Sequence, residues 1–153
     1  NPFQLVMNRG HYYLVGNHEN YDDMSTLRVD RIAHITVLSE RRKPLREIKG
    51  YQQQRTFNVS QYVKEHIYMF GGESITVSFK AKRSIVNQIL DWFDGNVEFT
   101  NVTPDEVICR VRVNHHAFKY WALQYMQSVK VLSPASLVAE VKEAIKEGLQ
   151  QYS

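Results

Sequence analysis

The chain is 153 residues long, 43% apolar, 12% aromatic and 23% charged, proportions that exclude collagen, coiled coil and intrinsic disorder. No apolar run reaches the ~18 residues needed to cross a bilayer, and the single cysteine, Cys109, excludes an intrachain disulfide and leaves a zinc cage short of ligands. The formal net charge is +3, and the whole excess falls before residue 71, where Arg41, Arg42, Lys43, Arg46, Lys49 and Arg55 stand against Glu47 alone; a polyanion would meet this region first, although a solvated loop has the same composition.

The first 40 residues read as short antiparallel strands. Apolar and polar residues alternate from Phe3 to Met7, and Asn8, Arg9 and Gly10 supply turn chemistry. The run His11 to Val15 is aromatic and β-branched, as a strand requires, and the polar cluster Gly16 to Asp23 closes it. Ser25 to Asp30 alternates, with Leu27 and Val29 on one side and Thr26, Arg28 and Asp30 on the other. Ile32 to Leu38 reads as a fourth strand with Ile35 and Val37 together. Four strands make a small twisted sheet or part of a barrel. Strand pattern two residues from a terminus that carries no Met reads as a piece of something longer.

A helix follows. Asn58 can cap it, Gln61 takes the capping-box position and Phe57 can staple onto Tyr62. Val59, Tyr62, Val63, Ile67 and Phe70 share one face, and Gly71-Gly72 ends the helix and marks a boundary. Beyond it the element types alternate. A strand at 74–80 leads to a helix striped by Ile85, Val86, Ile89, Leu90 and Phe93, which Gly95 stops. Two strands, 97–102 and 106–113, are joined by Thr103-Pro104-Asp105. Asn114 caps a helix carrying Phe118, Trp121, Ala122 and Tyr125, and 129–132 is a short strand. Ser133, with Pro134 at the first helical position, opens a last helix striped by Leu137, Val138, Val141, Ile145 and Leu149. The order βαββαβ is the split, ferredoxin-like pattern with an extra C-terminal helix. The expected division is residues 1–56 for the β part, 57–72 for the connecting helix and linker, and 73–153 for the ferredoxin-like part.

Catalytic constellations are thin, and the chain does not read as an enzyme. Cys109 lies between Val107 and Val111 on the apolar face of a strand, which suits a core thiol. His115 and His116 point about 100° apart on a helix and do not share a metal as an i, i+4 pair does. Asp22 and Asp23 suit a turn. The scattered glycines form no phosphate loop, and neither cofactor nor metal is expected.

A binding constellation stands out instead. His11 and Tyr13 share a strand face, Arg28 projects to the polar side of the next strand, and Arg31 arrives where that strand turns. Two guanidiniums beside a Tyr and a His can hold phosphates and offer a ring to a base. The same arginines can equally pair with Asp30 or Glu19 on a plain sheet surface. Arg41 and Arg42, at the head of the basic run, would extend an electrostatic track.

Tyr12-Tyr13-Leu14-Val15-Gly16 followed by Ser25-Thr26-Leu27-Arg28-Val29-Asp30-Arg31-Ile32 resembles the WYL domain, whose signature is a Trp-Tyr-Leu tripeptide and a later Arg-x-Asp-Arg-Ile run. Asp91 to Asp94, Phe118, Trp121-Ala122-Leu123 and Val131-Leu132-Ser133-Pro134 resemble the C-terminal extension of the same proteins. Tyr12 replaces the Trp, and Ser25 stands where many members carry another Arg, so one phosphate contact is missing. The resemblance implies an α+β protein: a partial Sm/SH3-like small β-barrel, a helix, then the ferredoxin-like domain. It also implies a bacterial, cytoplasmic transcriptional regulator whose WYL part senses nucleic-acid ligands, single-stranded DNA included. Duplex DNA would be bound through an N-terminal helix-turn-helix that this chain lacks. Carried onto this sequence, Tyr13 stacks, Arg28 and Arg31 hold phosphates and His11 adds a hydrogen bond. A homodimer without a membrane partner is the accompanying expectation, since an unpaired sheet edge and the last helix both offer surfaces to a second copy. The alternative is a dimerisation platform with no ligand of its own.

Overall fold

The computed structural model describes all residues, 1–153. They divide into two compact units, Asn1–Glu73 and Ser74–Ser153.

In the first unit β1 (Pro2–Asn8), β2 (His11–Gly16) and β3 (Ser25–Arg28) form an antiparallel sheet in that order. Arg9 and Gly10 both take positive φ, 48° and 79°, the two-residue turn whose twist suits a hairpin; Asn8 therefore pairs with His11. Asn17, almost fully buried, donates to the carbonyls of Tyr21 (2.7 Å) and Asp23 (2.9 Å) and so organises the polar loop between β2 and β3. α1 (Val59–Glu65) begins where expected, with Asn58 Oδ1 accepting from the Gln61 N–H at 3.0 Å and the Phe57 and Tyr62 rings 5.2 Å apart. Val6, Val15, Met24, Ile48, Tyr62 and Met69 form the core between α1 and one face of the sheet.

Three local expectations differ from the structure. The fourth strand is absent: residues 32–44 form no ladder, and Ile35 and Val37 are 75% and 93% exposed. A strand needs a partner for its N–H and C=O groups, and the 3-10 turn Val29–Arg31 ends β3 at Arg28 and leads the chain off the sheet. α1 stops at Glu65 instead of running to the glycine pair, and Met69 sits at φ 55°. Gly71 and Gly72 serve a close approach instead of a helix end: Gly72 N–H donates to Met24 O at 3.1 Å, and a Cβ on Gly71 would lie 3.0 Å from that oxygen and 3.1 Å from Ser25 Cα.

The sheet face away from α1 is apolar and bare. Leu5, Leu14 and Leu27 stand opposite one another across the three strands, with Met7 opposite Tyr12. Leu5 and Leu27 are each 54% exposed.

The second unit contains β4 (Ser74–Lys82), α2 (Val86–Phe93), β5 (Val97–Val102), β6 (Glu106–Asn114), α3 (His115–Gln124), β7 (Val129–Ser133) and α4 (Ala135–Gln150). The sheet order is β5-β6-β4-β7 with every neighbour antiparallel, the ferredoxin-like arrangement expected from the element order. Strand alternation sends Val77, Phe79 and Ala81 of β4 and Val107, Cys109, Val111 and Val113 of β6 to the helix-covered face. There Phe79, Phe93, Phe118 and Trp121, none of them exposed, pack with ring centroids 4.8 to 6.1 Å apart. Asn114 caps α3 as read from sequence, its Oδ1 accepting from Ala117 N–H at 3.0 Å. Pro134 stands one residue before α4, and only Leu137 and Val141 of the helix stripe are buried; Ile145 and Leu149 are exposed.

Candidate functional site

The site begins with the register of the first sheet. Pairing Asn8 with His11, Val6 with Tyr13 and Tyr13 with Arg28 sets His11, Tyr13 and Arg28 on one face at the hairpin end. Tyr13 lies half-buried against the core, with part of its ring left to solvent, while His11 is exposed. An Arg28 amino group donates to His11 Nδ1 at 3.2 Å. A guanidinium cannot accept, so Nδ1 is the acceptor and Nε2 is left to donate.

The 3-10 turn decides what Arg28 does next. In an extended strand Asp30 would lie about 7 Å further along; the turn folds it back. Arg28 donates from Nε to Asp30 Oδ1 at 3.0 Å and from Nη2 to Asp30 Oδ2 at 2.6 Å. This fork-to-fork pair raises the guanidinium pKa and lowers that of the Asp30 carboxyl, the hydrogen bond being the larger cause in both. Both groups face water, so the pair fixes geometry more than it adds stability. Arg31, at the end of the same turn, is exposed and makes no ion pair or hydrogen bond. The two arginines thus differ: Arg28 is held, Arg31 is available.

Arg41 and Arg42 lie elsewhere. Arg42 donates from Nη1 to the Pro2 carbonyl at 2.8 Å, and its guanidinium carbon sits 4.5 Å from the centre of the Phe3 ring. Pro2 pairs with Gly16, five residues and about 17 Å along β2 from His11. The register therefore brings His11, Tyr13 and Arg28 together, with Arg31 at the end of the turn that follows Arg28, and leaves Arg42 at the opposite end of the sheet, where it fastens the basic segment, Arg41 included, to β1. Charge spacing along the chain carries no signal for this, because the segment 32–44 has no regular structure to propagate a direction.

In the second unit the chemistry-bearing residues serve packing. His115 Nε2 lies 2.9 Å from Glu140 Oε1, between α3 and α4, without hydrogen-bond alignment. Cys109 is fully buried, and that burial pushes its thiol up to about 11. A thiol-specific reagent at pH 8 is expected to label it only as fast as the unit opens. Labelling of native protein at the rate of a free thiol would refute the buried assignment.

The fold is a small antiparallel β unit with a cationic, aromatic corner, followed by a ferredoxin-like α+β domain. Comparison with known families agrees: the WYL domain model matches residues 1–37 and the WCX domain model residues 71–149. The chain belongs to the WYL-domain regulators, in which a WYL domain is accompanied by a WCX domain. Proteins of this family are ligand-sensing regulators. Among solved structures, "Crystal structure of a CRISPR Cas-related protein" is similar at a TM-score of 0.54 and 15% identity over 99% of this chain. Proteasome accessory factor B/C (PafBC) of Arthrobacter aurescens is similar at 0.48 and 18%, again over 99%. The chain spans 42% and 22% of the lengths of those two proteins, respectively. A search of curated proteins finds no match. No helix is long and apolar enough to cross a membrane.

Proposed function

We propose that this chain is the sensing region of a WYL-type transcriptional regulator and takes a nucleotide-like anion, with a single-stranded oligonucleotide as the fitting ligand, at the corner formed by His11, Tyr13, Arg28 and Arg31. The observation that carries the reading is the pairing of one oriented guanidinium with one unengaged guanidinium beside a donor imidazole. Arg31 captures a phosphate oxygen, Arg28 stays aimed by Asp30, His11 Nε2–H adds a hydrogen bond and the accessible part of Tyr13 meets a base. Binding here would control a DNA-binding domain elsewhere in the full-length regulator.

The test is fluorescence anisotropy with fluorescein-labelled dT15 at ~50 mM salt. A charge-assisted hydrogen bond contributes about 1.5–3 kcal/mol, so Arg31→Ala and Arg28→Ala are each expected to weaken binding about tenfold or more. Each should also reduce the salt slope by about 0.7. Unchanged affinity in both arginine variants would overturn the site.

The bare apolar face favours a second reading, a platform for self-association, because exposed apolar patches of this kind mark interaction surfaces. Sedimentation equilibrium at high micromolar concentration is then expected to give a dimer, and Leu5→Glu/Leu27→Glu a monomer. A wild-type monomer under those conditions excludes it.

A further inference from the structure

The second sheet has an open face. Opposite the aromatic core, β4 presents Thr76, Ser78, Lys80 and Lys82, β6 presents Ile108, Arg110 and Arg112, and β7 presents Lys130. Five cations share this surface with two carboxylates, Glu98 opposite Arg110 and Glu106 opposite Lys82. Glu106 is spent on Lys80, at 2.8 Å. The side chains of Lys82, Arg110 and Lys130 make no ion pair or hydrogen bond, although Glu98 stands within register of Arg110.

Lys80 and Lys130 are direct partners across β4 and β7. Like charges opposite one another weaken a strand pair, and solubility needs no such arrangement, since interspersed signs serve it as well. Lys130, Lys80 and, diagonally across β6, Arg110 make an oblique row over three strands. Neighbours in it are about 5 Å and 7–8 Å apart at Cβ, and Lys82 stands beside the row. The Ser78 and Thr76 positions add hydroxyls. The sizeable apolar residues on these three strands' outer positions are Ile108 and Leu132, outnumbered by the five cations, so the face is mainly cationic.

We infer that this face binds the phosphate backbone of a single-stranded nucleic acid without reading its sequence. Charge complementarity selects a polyanion, and a flexible strand can set successive phosphates on an oblique row of closely spaced cations where a rigid duplex cannot. The face carries no aromatic side chain for bases to stack on, so affinity there is electrostatic and falls steeply with salt. This surface is built from residues separate from His11, Tyr13, Arg28 and Arg31 and stands without them.

The experiment measures binding of fluorescein-labelled dT20 and dA20 across a salt series. It compares wild type, Lys82→Gln/Arg110→Gln/Lys130→Gln, and the same triple change in an Arg28→Ala/Arg31→Ala background. Loss of three phosphate contacts is expected to lower the salt slope by about 2 and affinity at least tenfold. The full loss should appear in the Arg28→Ala/Arg31→Ala background, where this face binds alone, and should be the same for both oligonucleotides. A Lys82→Arg/Lys130→Arg variant, which keeps the charge, is expected to bind as wild type, separating charge from misfolding. Unchanged slope and affinity on adding the triple change to the Arg28→Ala/Arg31→Ala background overturn the inference. So does a triple variant that loses retention on phosphatidylserine vesicles while binding dT20 normally, which would assign the face to a membrane surface. If the Arg28/Arg31 variants bind normally while the triple variant does not, the corner site fails and this surface stands.

Discussion

Replacing Trp121 by alanine is expected to remove a large part of the stability of the Ser74–Ser153 unit. The indole is fully buried and packs on Phe93, Phe79 and Phe118 at centroid distances of 4.8, 5.4 and 5.4 Å, with Tyr125 at 5.1 Å. Truncating a buried Trp costs about 3–5 kcal/mol, and a unit of roughly 80 residues holds on the order of 4–12 kcal/mol. Urea unfolding followed by far-ultraviolet circular dichroism should show the transition of this unit displaced to much lower denaturant. The indole N–H has no hydrogen-bond partner, a burial that itself costs about 1–3 kcal/mol. Trp121→Phe keeps a ring and discards the orphan donor, so its cost is expected to stay within about 1 kcal/mol. A Phe variant as damaged as the Ala variant would show that the indole's full shape, and not ring burial, holds the core.

The Asn1–Glu73 unit depends in the same way on Tyr62. Its ring is 3% exposed, stacks on His66 at 3.8 Å and meets Phe57, and its hydroxyl shares a 2.7 Å hydrogen bond with Thr26 that joins α1 to β3. Tyr62→Ala is expected to cost about 3–5 kcal/mol, and Tyr62→Phe about 1 kcal/mol through the lost hydrogen bond. A second readout is pH. Burial pushes the phenol up to about 12 from 10.0, against the opposing pull of the Thr26 hydrogen bond. A raised folded-state value means the contribution is complete below pH 10 and is lost as pH climbs toward 12, when only the unfolded chain ionises freely. The loss is about 3 kcal/mol across that window. Thermal midpoints of the first unit should fall between pH 10 and 12 in the wild type and much less in Tyr62→Phe. Parallel profiles would remove Tyr62 as the cause.

Interactions within a few residues were legible in the sequence. Asn58 and Asn114 cap their helices because an Asx side chain reaches the N–H three residues ahead wherever the chain turns helical. Phe118 and Trp121 share a helix face by spacing, and Cys109 lies inward because strand neighbours alternate. The corner of His11, Tyr13 and Arg28 was readable for the same reason, as a face shared within one strand and an arginine on the next. What escaped was set by where the chain turns. The 3-10 turn at Val29–Arg31 gives Asp30 to Arg28, frees Arg31 and denies residues 32–38 a ladder. The fastening of Arg42 to Pro2 and Phe3 joins residues 40 apart.

By itself, then, the sequence determined most element types outside residues 32–38, the caps at Asn58 and Asn114, the inward residues of the ferredoxin-like sheet and the family signature, all products of local periodicity and backbone preference. Only the tertiary structure decided which guanidinium is held and which is open, that the basic run attaches at the far end of the first sheet, and that the outer face of the second sheet gathers lysines and arginines from three strands. Those facts depend on register and on turns between distant segments, where a shift of one residue carries a side chain to the other face.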